Sequence, residues 1–352
     1  MQNNKTRCVL LKFIGRLIAL SLTLLGLTIL QANQAQADVK TQNADFEVQP
    51  ILPNEQENQS LNYFDLSLAK GQRKTIEMRI QNFTDHKITV YSDLRNAMTQ
   101  VGGGVDFQTN TKGLDSSLAH PFNKVATLEK KSQKIDLAPQ QTKILKVNIK
   151  MPEEQINGMV YGDWHFIEYM NKKGGQSSVS SNYAYSVGVS LRGQHYKVYP
   201  ELKYDKTEAM LYRRHPAMGV KIRNTQPMVI NKVTAKAVVS KEGLFSSKHV
   251  FNMSKQSIAP NSVLTMPISW DYDQLKPGKY TVETVVTGQN LWNKLPMNWH
   301  FKKSFTIKAD DVKSINNQAL KKPTNTWAYV ATVSGILMLV SATGLVKVLR
   351  RS

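Results

Sequence analysis

Residues suited to chemistry are sparse in this chain. Seven histidines (His86, His120, His165, His195, His215, His249 and His300) are spread so that no two stand at the usual spacing of a metal-ligand pair. There is no HExxH, no GxSxG, no P-loop and no dinucleotide fingerprint. Gly102-Gly103-Gly104 lacks a following Lys-Ser/Thr and reads as a flexible loop. Glu153-Glu154 offers a carboxylate pair of the kind glycan hydrolysis uses. Adjacent strand residues point to opposite faces, however, and the pair reads better as a solvated turn. The single cysteine, Cys8, lies in the N-terminal segment, which excludes disulfides, thiol catalysis and cysteine-bound metals from the rest. The expectation is therefore a protein that is not an enzyme, with no catalytic residue, no metal and no cofactor. Aromatic residues beside turns are the better lead. Tyr161-Gly162-Asp163-Trp164, Leu291-Trp292-Asn293 and Met297-Asn298-Trp299 carry rings that can stack on sugars, with core packing as the competing reading for each. His165, next to Trp164, reads as a strand residue on a polar outward face.

The elements that must position these rings lie between two distinctive ends. Lys5, Arg7, Lys12 and Arg16 precede an apolar run from Leu17 to Leu30, and Ala35-Gln36-Ala37 gives a small-x-small cleavage pattern. Together these predict a signal peptide over 1–37. At the other end, 327–346 is uncharged and mostly apolar, long enough as a helix for a hydrocarbon core of about 30 Å. Trp327 and Tyr329 sit at one edge and Lys347, Arg350 and Arg351 at the other. Such flanks predict one transmembrane helix with the bulk of the chain outside and a basic cytoplasmic tail, 347–352. No LPxTG-like sorting motif precedes it.

Between the ends, short runs alternate apolar and polar residues, the signature of strands. Examples are 75–80, 143–149, 183–191, 219–223, 233–239, 263–270, 280–286 and 301–307. The expected fold is all-β, with two immunoglobulin-like β-sandwich domains, 38–192 and 193–309. A polar spacer, 310–326, follows. In the second domain Lys276-Pro277-Gly278-Lys279-Tyr280 is a turn feeding a strand that starts with Tyr. A Tyr at such a corner can bond back to upstream backbone, with simple packing as the competing reading.

Charge is unevenly shared. Of the 46 Lys and Arg, seven lie in the terminal segments, leaving 39 against 26 acids between them. Divided after Arg192, the first part holds 18 bases and 17 acids, the second 21 and 9, so the excess belongs to the second domain. A basic domain favours polyanions. Outside the cell these are anionic lipid headgroups, anionic wall polymers or acidic proteins, and nucleic acid is not expected as a partner.

An ordered set of segments resembles the WxL-interacting proteins. It runs through Phe46 to Ile51, Gln59 to Leu66, Asn96-Ala97-Met98-Thr99, Leu114 to Leu118 and Lys150-Met151-Pro152. It continues in Pro200-Glu201-Leu202, Ile222-Arg223-Asn224, Ile258 to Ser262 and Leu275 to Tyr280. The resemblance implies a peptidoglycan-binding first domain and a second domain that binds host surface components. It also implies association with WxL-domain proteins on a Gram-positive cell wall. Tyr63 and Phe64, inside one of these segments, join Tyr161, Trp164, Trp292 and Trp299 as candidate contact residues. A direct host adhesin and, less favoured, a wall-active glycan hydrolase are the alternatives.

Overall fold

The alternating runs place one row of apolar side chains inward and one row outward, and paired rows close two cores. The computed structural model describes residues 44–109, 114–169, 182–243, 247–322 and 326–350. The expected signal peptide over 1–37 lies outside the described residues.

In the first sandwich one sheet has the order β1 (Phe46–Ile51), β3 (Arg73–Asn82), β8 (Thr142–Lys150), β6 (Ala126–Leu128). The facing sheet has the order β2 (Phe64–Ser67), β10 (Tyr183–Arg192), β9 (Met159–Glu168), β4 (Ile88–Thr99), β5 (Val105–Gln108), with β7 (Lys134–Leu137) also on β4. All pairs are antiparallel except β2 with β10. Trp164, Phe46, Phe64, Phe122 and Phe166 are fully buried between the sheets.

In the second sandwich β11 (Leu202–Tyr212), β12 (His215–Asn224) and β15 (Ser262–Ser269) form one sheet. β14 (Lys248–Ile258), β13 (Ile230–Lys241), β16 (Gly278–Asn290) and β17 (Pro296–Ile307) form the other. The anticipated corner is present: Tyr280 Oη donates to the Lys276 carbonyl at 2.6 Å.

The structure departs from expectation in several places. The stretch read as a polar spacer contains a helix, Ala309–Gln318, that buries Val312 and lays Ile315 on the second core. Val312 and Ile315 stand three residues apart, so they share a helix face. Asp310 and Asp311 in its first turn complement the dipole. The Asn316 amide ties the helix to Leu275, accepting from its N–H at 3.1 Å and donating to its carbonyl at 3.0 Å. Farther on, the apolar C-terminal run lies in a helix, Thr326–Arg350, whose side chains are described without a break only over 329–339. Among the described residues no helix is long and apolar enough to cross a membrane.

Candidate functional site

Another departure shapes the site. The glycine loop is a clasp between the sandwiches. Gly102, Gly103 and Gly104 have φ of 87°, 97° and 100°, a region that L side chains avoid. The Gly102 N–H donates to Thr265 O and the Gly104 N–H to Ser257 O, each at 2.9 Å. A Cβ on Gly103 would lie 2.9 Å from Met253 Sδ. Beside the loop, Thr99 Oγ1 lies 2.6 Å from Ser262 Oγ and accepts the Ala259 N–H at 2.9 Å. Arg223 forks onto Asp115 at 2.6 and 2.9 Å. Burial alone would raise the Asp115 carboxyl, but bonds from Arg223 and Ser117 and the Arg223 charge hold it below the ordinary carboxylate range. A shared apolar cluster of Met159, Met228 and Val229, with Tyr161, Tyr196, Val198, Leu291 and Trp292 packed on it, completes the seam.

The seam opens into a cleft of about 700 Å³ lined from both sandwiches. Tyr63 comes from the approach to β2, Tyr161 from β9, Tyr196 from the connection before β11, and Trp292 from the β16–β17 turn. The Gln56 amide positions the approach to β2, donating to Tyr63 O and accepting from Asp65 N–H, each at 2.9 Å. Tyr161 stands edge-on to Phe107, ring centroids 5.6 Å apart. Trp292 Nε1 donates to Val198 O at 2.8 Å, and its ring meets Tyr199 at 5.2 Å.

Arg192 organises the polar side of the cleft. It forks onto Asp65 at 2.9 and 2.7 Å, reaches Glu57 at 3.1 Å, and lies 4.4 Å from the Tyr196 ring centroid. Burial pushes Tyr161 up to about 12, helped by Tyr63, Asp163 and Asp65, and burial also raises Tyr63 and Tyr196. These phenols therefore keep their protons at neutral pH and remain donors. Lys197, Lys255 and Lys294 also line the cleft. Among the described residues no acid lies within 4.0 Å of any of the three, and Lys294 Nζ donates to Leu291 O at 2.7 Å.

Tyr63, Tyr161 and Trp292, distant in sequence, thus meet in one cleft. The structure corrects Phe64 and Trp164, which are fully buried in the first core. Trp164 alternates with Tyr161 and Asp163 across β9 and donates from Nε1 to Ser92 Oγ at 3.1 Å, so its ring is unavailable to a ligand. Trp299 lies on β17, partly buried against the second core and outside the cleft. His165 lies on β9 and faces outward as expected, but it is buried there, with Nδ1 3.0 Å from Ser186 Oγ. Glu153 and Glu154 are exposed, with Glu153 3.8 Å from Lys150 and Glu154 3.3 Å from His120. Sequence reasoning missed Tyr196, Arg192 and the three lysines. Two tyrosines, Tyr196 and Tyr199, in a stretch between strands were the available signal. Among the described residues no group of three or more His, Cys, Asp or Glu could hold a metal ion.

This arrangement can stack planar or saccharide faces on rings, donate from phenols and attract anions. Asp65 is committed to its fork with Arg192.

No curated protein matches the chain. Among solved structures it is similar to the CsuC–CsuE chaperone–tip adhesion subunit complex of Acinetobacter baumannii, at 10% identity and a TM-score of 0.35, over 73% of this chain and 98% of that one. It is also similar to the YadV chaperone, at 10% identity and a TM-score of 0.32, over 74% of this chain and 100% of that one. The E. coli chaperone DraB gives 10% identity and a TM-score of 0.28, over 73% and 95%. Likeness at these TM-scores bears on neither mechanism nor partner. The sequence itself matches two family models in order. The peptidoglycan binding domain of the WxL Interacting Protein matches 46–168, and the host binding domain matches 175–317. The second match begins ahead of β10, although β10 pairs with β9 and β2 in the first sandwich. The two matches together span well over half of the 352 residues, and the chain belongs to the WxL-interacting protein family.

Proposed function

We propose that this chain is a non-enzymatic binding and scaffolding protein of a Gram-positive cell surface. It holds peptidoglycan in the aromatic cleft and associates with WxL-domain surface proteins, through which it supports adhesion to host components. The observation that carries this reading is the convergence of Tyr63, Tyr161 and Trp292, with Tyr196, on one cleft. The peptidoglycan-binding match over 46–168 supports the wall as ligand. The cleft lysines suit anionic wall polymers that accompany the glycan. The domains are 38–192 and 193–309, with the helix Ala309–Gln318 packed onto the second. The C-terminal helix is the membrane anchor, with Lys347, Arg350 and Arg351 on the cytoplasmic side. That part rests on the uncharged run 327–346 in the sequence.

A direct host adhesin is the second reading, favoured by the host-binding match over 175–317. Strong labelling of intact cells by antibodies to the second sandwich would favour it over presentation through a partner.

The test is sedimentation of the full chain, in detergent micelles, with purified peptidoglycan stripped or unstripped of anionic polymer across a salt series. Binding to stripped wall is expected to be insensitive to salt and to fall about tenfold or more in Trp292→Ala, the scale of a central aromatic contact. Lys197→Ala with Lys255→Ala should weaken only the unstripped wall, and only at low salt. No binding to stripped wall, or full binding by Trp292→Ala, overturns the assignment of the cleft.

A further inference from the structure

On the other side of the Tyr63–Tyr161 pair the first sandwich has an incomplete sheet. β10 pairs with β9 along all of Tyr183–Arg192. On its second side it pairs with β2 only from Val189 to Arg192. From Tyr183 to Gly188 that side has no strand among the described residues. Because β2 runs parallel to β10, the residues that would continue its row are those just before Phe64. They are held out of the sheet by their own turn. The Ser60 N–H donates to Asn58 Oδ1 at 2.9 Å, the Leu61 N–H to Asn58 O at 3.3 Å, and the Gln56 amide to Tyr63 O at 2.9 Å.

The vacant row is a groove of about 540 Å³. Tyr185 to Gly188 line one wall and Glu47 to Pro50 of β1 line the other. Tyr63, Phe107 and Tyr161 close one end. β1 is itself an edge strand among the described residues, paired there only with β3. The charge is one-sided: Glu47 is exposed and outside every ion pair among the described residues, and no Lys or Arg lines the groove. Asp163 stands opposite Gly188 in the register, fully buried, and no hydrogen bond of good geometry reaches either carboxyl oxygen.

We propose that this open half-edge accepts an extended peptide strand from a partner protein, six residues long at the edge and carrying a lysine or arginine. Unpaired edge N–H and C=O groups are satisfied by another backbone. A glycan offers no matching row of alternating amides. The Glu47 carboxylate selects a cation, and the rings at the closed end take an apolar side chain. This groove shares the Tyr63–Tyr161 pair with the interdomain cleft but lies on its other side, and the proposal stands whether or not the cleft holds the wall.

The probes are fluorescein-labelled peptides, titrated by polarisation against the full chain in detergent: an alternating Thr-Val heptapeptide with a central Lys, the same with Glu, and the Lys form N-methylated at alternate amides. The Lys peptide should bind saturably, and both other peptides about tenfold or more weakly. Gly188→Val tests the groove directly. An added Cβ there lies at ordinary contact distances, 3.6 Å from Tyr161 Oη and 3.8 Å from Tyr63 Cβ, so the larger side chain enters the groove from an unstrained position. It should weaken the Lys peptide about tenfold. Glu47→Lys, on an exposed edge, should reverse the Lys over Glu preference without affecting folding. Amide hydrogen exchange over 183–188 should slow when the Lys peptide is added. Binding that survives N-methylation, or Glu47→Lys that leaves the preference intact, overturns the proposal, and so does failure of every peptide to bind at about 1 mM.

Discussion

Asp163→Asn should remove a large part of the pH dependence of stability. Asp163 is fully buried on the outward face of β9. Burial is the leading cause of its perturbation and raises its carboxyl from 3.8 to about 7. Ser186 and Arg95 pull it down, while Asp93 and Asp106 push it up. The Ser186 hydroxyl is already engaged by His165 at 3.0 Å. The sign follows from proton linkage. Between about pH 4 and pH 7 the folded chain keeps a proton on Asp163 that the unfolded chain has lost, so stability falls as pH rises through that window. A rise from 3.8 to about 7, at 1.36 kcal/mol per pH unit, corresponds to at most roughly 4 kcal/mol. Urea denaturation of parent and Asp163→Asn at pH 4 and pH 8 isolates it, because Glu168, also raised by burial, is common to both and cancels. The variant should gain on the parent by several kcal/mol between the two pH values, whatever its offset at pH 4. Parallel profiles would refute the reasoning and mean that water or a rearranged neighbour solvates the carboxylate.

Two further outcomes follow from single contacts. Arg223→Ala leaves the Asp115 carboxylate, 2% exposed, without its fork and should cost about 3 kcal/mol or more at neutral pH by urea denaturation. Because the folded carboxyl of Asp115 lies below its unfolded value of 3.8, that stabilisation is present above 3.8 and lost as pH falls through the folded value, so the penalty should shrink in acid. Tyr280→Phe removes the 2.6 Å bond to Lys276 O while keeping the ring, and should lower the stability of the second sandwich by about 1 kcal/mol in thermal or urea unfolding.

The strands were legible wherever one face is buried and the other wet. β16 is the clean case, with Tyr280, Val282, Thr284, Val286 and Gly288 inward and Lys279, Glu283, Val285 and Thr287 outward. The Tyr280 corner was legible because Pro277-Gly278 fixes the turn that precedes it. β9 was not, because both its faces are covered: Asp163 and His165 are buried outward while Trp164 and Phe166 are buried inward. A polar residue beside an aromatic then ceases to report which one faces water, so Trp164 passed for an exposed ring. Phe64 misled for a related reason, since in a four-residue strand period two has too few repeats to set a direction. The helix Ala309–Gln318 carries its burial on Val312, with Ile315 only partly covered, too small a stripe to stand out from a polar stretch.

The site itself depends on contacts that sequence order hides. Positive φ at Gly102, Gly103 and Gly104 follows from residue type, but what the loop meets does not, and that partner decides its role. Gly103 leaves no room for a side chain against Met253 and Gln256, so the loop lets β4 approach β14 and β15 closely. Close approach brings Tyr63 and Tyr161 of one sandwich within one cleft of Trp292 of the other. Neither sandwich alone presents that set of rings. The seam is held by backbone bonds, a forked Arg223–Asp115 pair and a shared apolar cluster, so separating the sandwiches would expose Met159, Met228 and Val229 as well as the Asp115 carboxylate. Mobile domains usually meet over a weaker and more polar contact. The seam contacts themselves hold the two halves of the cleft together.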